Sequence, residues 1–339
     1  MNEPTLFPFT EFWWLYGGFT LFVGLLLFLD LGVFHRDEHP VSFREASSWT
    51  AVWVTLAMAF NVGLYFYLRH HLPLDARLMA LEGFDPLATA RVAALEFLAG
   101  YVVEYSLSVD NIFVFVVVLS YFAIPSQLQH RVLFFGILGA LVFRAAFIAL
   151  GAILLRYNWV TWIFGAFLIV TGVRMMFAKG EGVEPEENAL IRLFRRFVPV
   201  TPQMHGRNFF VRVDGRRHAT PLFACLLVLE MTDIVFAVDS VPAIFALTDE
   251  PFIVYSSNIF AILGLRSLYF LLKGAVDKFH LLKYGLGIVL VFVGLKMVWL
   301  NRAYDGHFPI IPSLAIIIGV IATSIILSLL FPKPPEEAP

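Results

Sequence analysis

The chain has 339 residues and a single cysteine, Cys225, which lies in an apolar run. One cysteine cannot form an internal disulfide or a thiolate metal cluster, so we expect a packed core thiol. Charge is also scarce: 15% of the residues are charged and the net charge is −2. Without a basic surplus, a nucleic-acid partner has no electrostatic basis. The sequence also lacks a GxxxxGK[ST] loop, which excludes direct use of ATP through that motif.

Apolar residues dominate what remains, at 59% of the chain with a mean hydropathy of +0.79. These values are typical of membrane proteins, in which a spanning helix needs about 20 apolar residues. The sequence therefore predicts an all-α polytopic membrane protein with about nine transmembrane helices. The predicted spans are 13–34, 49–68, 92–124, 132–155, 157–178, 219–247, 252–272, 281–300 and 308–331. The first is expected to be a retained span, because residues 1–12 carry no Lys or Arg.

The distribution of basic residues between the spans predicts the orientation. Fifteen Lys and Arg residues fall on the side of the 179–218 loop, against five on the other side. Because positive loops stay in the cytoplasm, we expect a bacterial inner-membrane protein with its N-terminus outside and its C-terminus inside. Within this loop, ALIRLFRRF at 189–197 is either a helix on the inner leaflet or a solvated linker.

An internal repeat organises the chain. The run from Glu104 to Asn111, EYSLSVDN, returns as DIVFAVDS from Asp233 to Ser240. Two further matches follow in order: FGILG at 135–139 against FAILG at 260–264, and Gly165…Gly172 against Gly287…Gly294. Each unit has three spans, so the second copy enters the membrane from the opposite side, as in inverted-repeat transporters. Chance similarity between apolar helices is the alternative. The predicted segments are two N-terminal helices in 1–91, repeats at 92–178 and 219–300, the basic cytoplasmic loop at 179–218, and a final helix and tail in 301–339.

Five acids lie inside the third and sixth predicted spans. They are Glu104, Asp110, Glu230, Asp233 and Asp239. Each acid at a membrane centre costs about 2.5 to 3.5 kcal/mol on insertion scales, so something must offset them. Three offsets are open: protonation, ion pairs with Arg144 and Arg266, or a bound cation. The two arginines leave at least two acids unmatched, whereas a cation between the spans would explain both the number and the symmetry.

The spacing within each motif bears on which acids could act together. Six residues turn an ideal helix by about 240°, so Glu104 and Asp110 do not share a face. Either the helix is broken or only one acid of each pair contacts a ligand. Pro242 favours a break beside Asp239, because it cannot donate to the carbonyl of Val238.

The donor atoms near the acids predict the kind of ion. Asn111 and Ser240 add neutral oxygens, and every one of the nine histidines lies in a loop or at a span end. An oxygen set suits Mg, Ca or Mn better than Cu or Zn. The predicted metal ligands are Glu104, Asp110, Asn111, Glu230, Asp233, Asp239 and Ser240. No organic cofactor and no catalytic residue is expected.

The segments SVDNIFVF, EMTDIVFAVDSVPAIFA and LFLDLGVFH resemble the TerC family of integral membrane proteins over nearly the whole chain. The resemblance implies a LysE-like fold of three plus three inverted helices and export of Mn²⁺, with protons as a candidate counter-ion. The family name also implies a link to tellurium resistance. Two alternatives remain open, an intramembrane aspartyl protease using Asp110 and Asp239, and a membrane anchor for a tellurium-stress complex. The sequence leaves the oligomeric state open.

Overall fold

The computed structural model describes residues 5–29, 41–154, 157–177, 201, 203–213, 216–273, 279–304 and 308–331. Nearly all of this is helix. The α-helices are α1 (Phe9–Leu29), α2 (Phe43–His71), α3 (Ala76–Met79), α4 (Pro86–Tyr121), α5 (Ser126–Leu154), α6 (Asn158–Phe177), α7 (Pro221–Phe245), α8 (Pro251–Leu263), α9 (Leu265–Leu272), α10 (Leu282–Leu295), α11 (Asn301–Ala303) and α12 (Ile310–Leu330). A 3₁₀ turn follows α2 at Leu72–Leu74, and a π-helical turn at Lys296–Leu300 joins α10 to α11.

The predicted fold class is confirmed. Among the described residues, eight helical segments are long and apolar enough to span a membrane, or nine if the bent pair α8 and α9 counts as one. The spans begin where local chemistry favours a helix start. Asp85 caps α4 by accepting hydrogen bonds from Leu87 N (2.9 Å) and Ala88 N (3.1 Å), and Pro86 occupies the first turn. Ser42 caps α2 by accepting from Glu45 N (3.2 Å).

Helix α4 lies at the centre of the bundle. In its most apolar stretch 62% of the residues are buried, against 22% in α1 and α2. It packs against α2, α7, α8 and α12, while α5 packs against α7 and α8. The acids of the two motifs are carried by α4 and α7. The fold therefore places both motifs inside the protein rather than at a lipid-facing surface.

Among the described residues, helices α6 and α10 have the most extensive contact of any helix pair, and glycines allow their backbones to approach closely. A methyl group at Gly172 would lie 2.5 Å from the carbonyl oxygen of Gly287. A methyl group at Gly294 would lie 2.6 Å from the carbonyl oxygen of Gly165. The four glycines of the proposed repeat thus face one another in antiparallel order, as small residues do where membrane helices touch. This packing supports the inverted repeat, which stays a prediction, as do the segment boundaries.

The basic 179–218 loop contains structure that the sequence analysis did not predict. Strands β1 (Phe210–Val213) and β2 (Arg216–Ala219) form an antiparallel hairpin just before α7. Thr220 Oγ1 fastens the hairpin by donating to the carbonyl of Asn208 (2.7 Å). The 189–197 stretch discussed above lies outside the described residues.

Candidate functional site

The guanidinium of Arg144 is the centre of a buried polar cluster between α4, α5, α7 and α8. Its side chain is fully buried. Nη1 forms an ion pair with Glu104 of α4, and Nη2 lies 3.4 Å from Asp233 Oδ1 of α7. Nε also donates to Asp233 Oδ2 at 3.4 Å. One acid from each copy of the proposed repeat therefore meets the same cation.

Two neutral side chains complete the cluster. Nη1 of Arg144 donates to Ser240 Oγ (3.0 Å) and to Asn258 Oδ1 (3.3 Å). Asn258 Nδ2 donates in turn to Glu104 Oε2 (3.0 Å). Four oxygen-bearing side chains thus surround one guanidinium, an arrangement in which buried charges find both a counter-charge and hydrogen bonds.

Glu230 and Asp239 stand apart from this cluster. The carboxylate of Glu230 lies directly against Gly139 of α5, in the space that a side chain at that position would fill. Asp239 accepts a hydrogen bond from Thr171 of α6. Within the described part of the chain, neither acid forms an ion pair. Arg144 therefore offsets only part of the negative charge carried by the two motifs.

The helices that carry the acids are continuous. Helix α7 runs through Pro242 to Phe245, so the break predicted beside Asp239 is absent. The bend lies instead in the neighbouring span, where α8 and α9 meet at Gly264 with an angle of 41°. Acids six residues apart are expected not to share a helix face. In α7, Asp233 and Asp239 contact different helices, α5 and α6. Pro242 is buried within α7, and proline is tolerated inside membrane helices because their surroundings can satisfy the backbone groups it frees.

A metal-binding arrangement is not preformed in the described residues. They contain no group of three or more His, Cys, Asp or Glu side chains that could hold an ion. Asn111 is buried on α4, while the side chain of Asp110 lies outside the described residues. Of the seven predicted ligands, Glu104, Asp233 and Ser240 therefore gather at Arg144, and Glu230 and Asp239 lie outside that cluster. Their role as ligands stays a prediction.

A small cavity reaches the cluster at Asp233. It has room for about one water molecule, and Asp233 is its only charged lining residue. Its other walls come from α4, α5, α7 and the start of α9, at Leu265. The cavity thus joins the buried acid to the region of the Gly264 bend.

Residues outside the motifs add polar contacts that the sequence analysis missed. Thr171 gave no signal, because a threonine beside an acid of another helix cannot be recognised before the packing is known.

A second polar cluster lies at the end of the bundle beside residues 5–7. There Glu96 accepts from Thr248 Oγ1 (2.6 Å), and Glu250 Oε1 accepts from Leu6 N (2.7 Å). Burial raises the pKa of Glu250 to about 7.

Comparison with known proteins places the chain among membrane proteins of one family. The profile described as "Integral membrane protein TerC family" matches residues 89–336. The chain belongs to the TerC family. It is 49% identical over 317 residues to an uncharacterized membrane protein, STKORF319, of Myxococcus xanthus, covering 93% of this chain and 92% of the relative.

Two further relatives extend the comparison. The Escherichia coli K12 protein Alx, described as a candidate membrane-bound redox modulator, is 42% identical over 93% of this chain and 94% of its own length. A membrane protein of Rickettsia bellii is 37% identical over 80% of this chain and 83% of its own. No solved structure matches the chain. The family assignment and the apolar helices identify a multi-pass integral membrane protein.

Proposed function

We propose that this TerC protein is a secondary transporter that exports a divalent metal cation, with Mn²⁺ the favoured substrate. The observation that carries the proposal is the meeting of Glu104 and Asp233 at one fully buried guanidinium. These acids occupy equivalent positions in the two motif copies. Inverted-repeat transporters bind substrate where their two halves meet. In the proposed repeat, this cluster would lie between the halves.

The charge of the site supports a cationic substrate. When ionised, Glu104 and Asp233 would carry two negative charges against the single positive charge of Arg144, and Glu230 and Asp239 would add two more. Acids inside a membrane span are costly, and they mark ion or proton pathways. A visiting divalent cation would balance charge that Arg144 leaves uncompensated. Protons could occupy the same carboxylates when the metal has left, which would couple metal export to proton entry.

The donor atoms support a hard ion. Carboxylates, the Ser240 hydroxyl and the amides of Asn111 and Asn258 are oxygen ligands, which favour Mg²⁺, Ca²⁺ or Mn²⁺. The resemblance of the motifs to manganese exporters selects Mn²⁺ among these. The relatives described as redox modulators suggest thiol chemistry instead, but Cys225 is completely buried, which disfavours a reactive thiol.

Arg144 must take part in any binding event, because its guanidinium occupies the space between the two acids. We infer that Arg144 serves as a resident cation that leaves the carboxylates when the metal arrives. The bend at Gly264 and the cavity at Asp233 lie beside the cluster from which Arg144 would have to withdraw. The proposed orientation, with the N-terminus outside the inner membrane, puts the basic loop on the metal-loading side.

The test is metal flux in proteoliposomes loaded with a manganese-sensitive dye. Asp233→Asn and Asp239→Asn should each abolish Mn²⁺ flux, because Asp233 is one of the two acids at Arg144 and Asp239 is a further acid inside the same span. The matched control is Glu82→Gln, which makes the same kind of change at an exposed position outside the spans. Size-exclusion profiles identical to that of the wild type would show that the variants are folded. Normal flux in both aspartate variants would refute the proposal, and competition with Mg²⁺ or Ca²⁺ would rank the ions.

A further inference from the structure

The β1–β2 hairpin carries two arginines opposite each other. Arg212 of β1 and Arg217 of β2 are register partners, and both side chains are exposed. Side chains of directly opposed residues lie on the same face, about 5 Å apart at their Cβ atoms. Like charges in such a pair are destabilising unless an anion lies between or above them. Among the residues that the structure describes, neither arginine forms an ion pair with a carboxylate.

The same face of the hairpin is apolar at its base. Phe210 and Ala219 form the register pair two residues along, so they share the face with the arginines. The Phe210 ring is half exposed and lies 4.4 Å from the Phe223 ring in the first turn of α7. This face of the hairpin therefore has an aromatic ring at its base and two arginines at the next pair of residues on the same face.

The hairpin is fixed at the end of a membrane span. Thr220, which precedes α7, donates from its N–H to the carbonyl of Phe209 (2.9 Å). The Arg131 guanidinium of α5 lies over the Phe209 ring at 5.2 Å. Because α5 and α7 are spans, these contacts hold the hairpin at the boundary between hydrocarbon and water. Phenylalanine side chains on membrane-surface segments enter the boundary between headgroups and acyl chains, and the lipid phosphates lie just outside it.

We propose that the hairpin face of Phe210, Arg212 and Arg217 binds the phosphate of an anionic membrane lipid. The exposed Phe210 ring contacts the glycerol and the upper part of the acyl chains. The two guanidinium groups donate bidentate hydrogen bonds to the phosphate. An anionic lipid supplies the negative charge that the opposed arginines require. The aromatic base favours a lipid over a soluble phosphate, which would bind only the cationic half of the face.

The test measures lipid binding to the purified full-length protein by native mass spectrometry. The protein is titrated with phosphatidylglycerol or with phosphatidylcholine of the same acyl chains. We compare the wild type with Arg212→Gln/Arg217→Gln. The matched control is Arg69→Gln/Arg91→Gln. It removes two exposed arginines, near the end of α2 and the start of α4, which lie away from the hairpin. A typical contribution per basic residue at an anionic surface predicts about thirty-fold weaker phosphatidylglycerol binding in the hairpin variant.

The controls separate the explanations. Phosphatidylcholine binding should be unchanged in both double variants, and 10 mM inorganic phosphate should leave bound phosphatidylglycerol in place. The Phe210→Ala variant should bind both phosphatidylglycerol and phosphatidylcholine more weakly, because it lacks the apolar contact. Thermal unfolding of each purified variant checks that it is folded. A second variant, Arg212→Lys/Arg217→Lys, keeps both charges, so its affinity for phosphatidylglycerol should fall only a few-fold. Equal losses in the two Gln double variants, or displacement by inorganic phosphate, would overturn the proposal.

Discussion

Replacing Arg144 with alanine distinguishes a transport site from a purely structural ion-pair cluster. The substitution removes the fully buried guanidinium and leaves Glu104 and Asp233 without their counter-charge. Breaking a buried ion pair from one side typically costs about 3 to 5 kcal/mol. At roughly 2 to 4 °C per kcal/mol, the unfolding midpoint in detergent should fall by on the order of 10 °C.

The same substitution creates an empty space lined by two carboxylates, the Ser240 hydroxyl and the Asn258 amide. If these oxygens form the metal site, Mn²⁺ should occupy the space and restore stability. A ligand at 100 times its Kd stabilises by about 2.7 kcal/mol, which would recover several degrees. The wild type should respond far less to Mn²⁺, because Arg144 already holds the position.

The assay is thermal unfolding followed by intrinsic fluorescence, with and without 1 mM MnCl₂ and with Mg²⁺ for comparison. The control variant, Glu104→Gln/Arg144→Ala, keeps the space but removes one carboxylate, and its Mn²⁺ response should be strongly reduced. A destabilised Arg144→Ala protein that shows no metal response would refute the reasoning. The cluster would then be a structural ion pair, and the substrate path would lie elsewhere.

Two further predictions test particular contacts. In Gly139→Ala, the new methyl group would displace the Glu230 carboxylate, which is the end of a flexible side chain, so we expect slower Mn²⁺ flux with little change in thermal unfolding. The control Gly136→Ala, whose methyl would meet only Leu226 at 3.9 Å, should change neither. Because burial raises the pKa of Glu250 from 4.5 to about 7, its contribution to stability is complete below pH 4.5 and is lost as the pH rises through 7. In the wild type, the free energy of unfolding should therefore fall by up to about 3 kcal/mol between pH 5 and 8, and Glu250→Gln should remove this fall. A variant whose stability still falls as that of the wild type does would contradict the assignment to Glu250.

The sequence predicts the spans well because the bilayer imposes a length on them. The predicted span 252–272 corresponds to Pro251–Leu263 and Leu265–Leu272, and 308–331 corresponds to Ile310–Leu330. The bend at Gly264 could not be predicted in the same way, because glycines are common in membrane helices and rarely bend them on their own. Pro242 was the stronger sequence signal for a break, yet its helix is continuous. Packing decides which weak point in a helix bends.

The hairpin was missed although its sequence carried a signal. FVRV and RRHA flank Asp214-Gly215, and an Asp-Gly pair between two short β-prone segments is a strong hairpin indicator. The contact between Asp239 and Thr171 is a different case, because it depends on how two helices are rotated about their axes. Apolar periodicity says little about rotation in spans that are apolar on every face.

In the proposed repeat, the arginine at the centre of the candidate site has no arginine at the equivalent position of the second copy. The alignment that places 135–139 on 260–264 puts Arg144 opposite Tyr269, whose hydroxyl donates to Gln129 (3.2 Å) rather than to an acid. Equivalent acids therefore share one cation, which belongs to the first repeat alone. A symmetric pair of arginines would neutralise Glu104 and Asp233 completely and leave no electrostatic reason for an ion to enter. Because both acids contact Arg144, the ionised Glu104–Asp233 pair would exceed the charge of that guanidinium by one, and this excess can attract a metal ion.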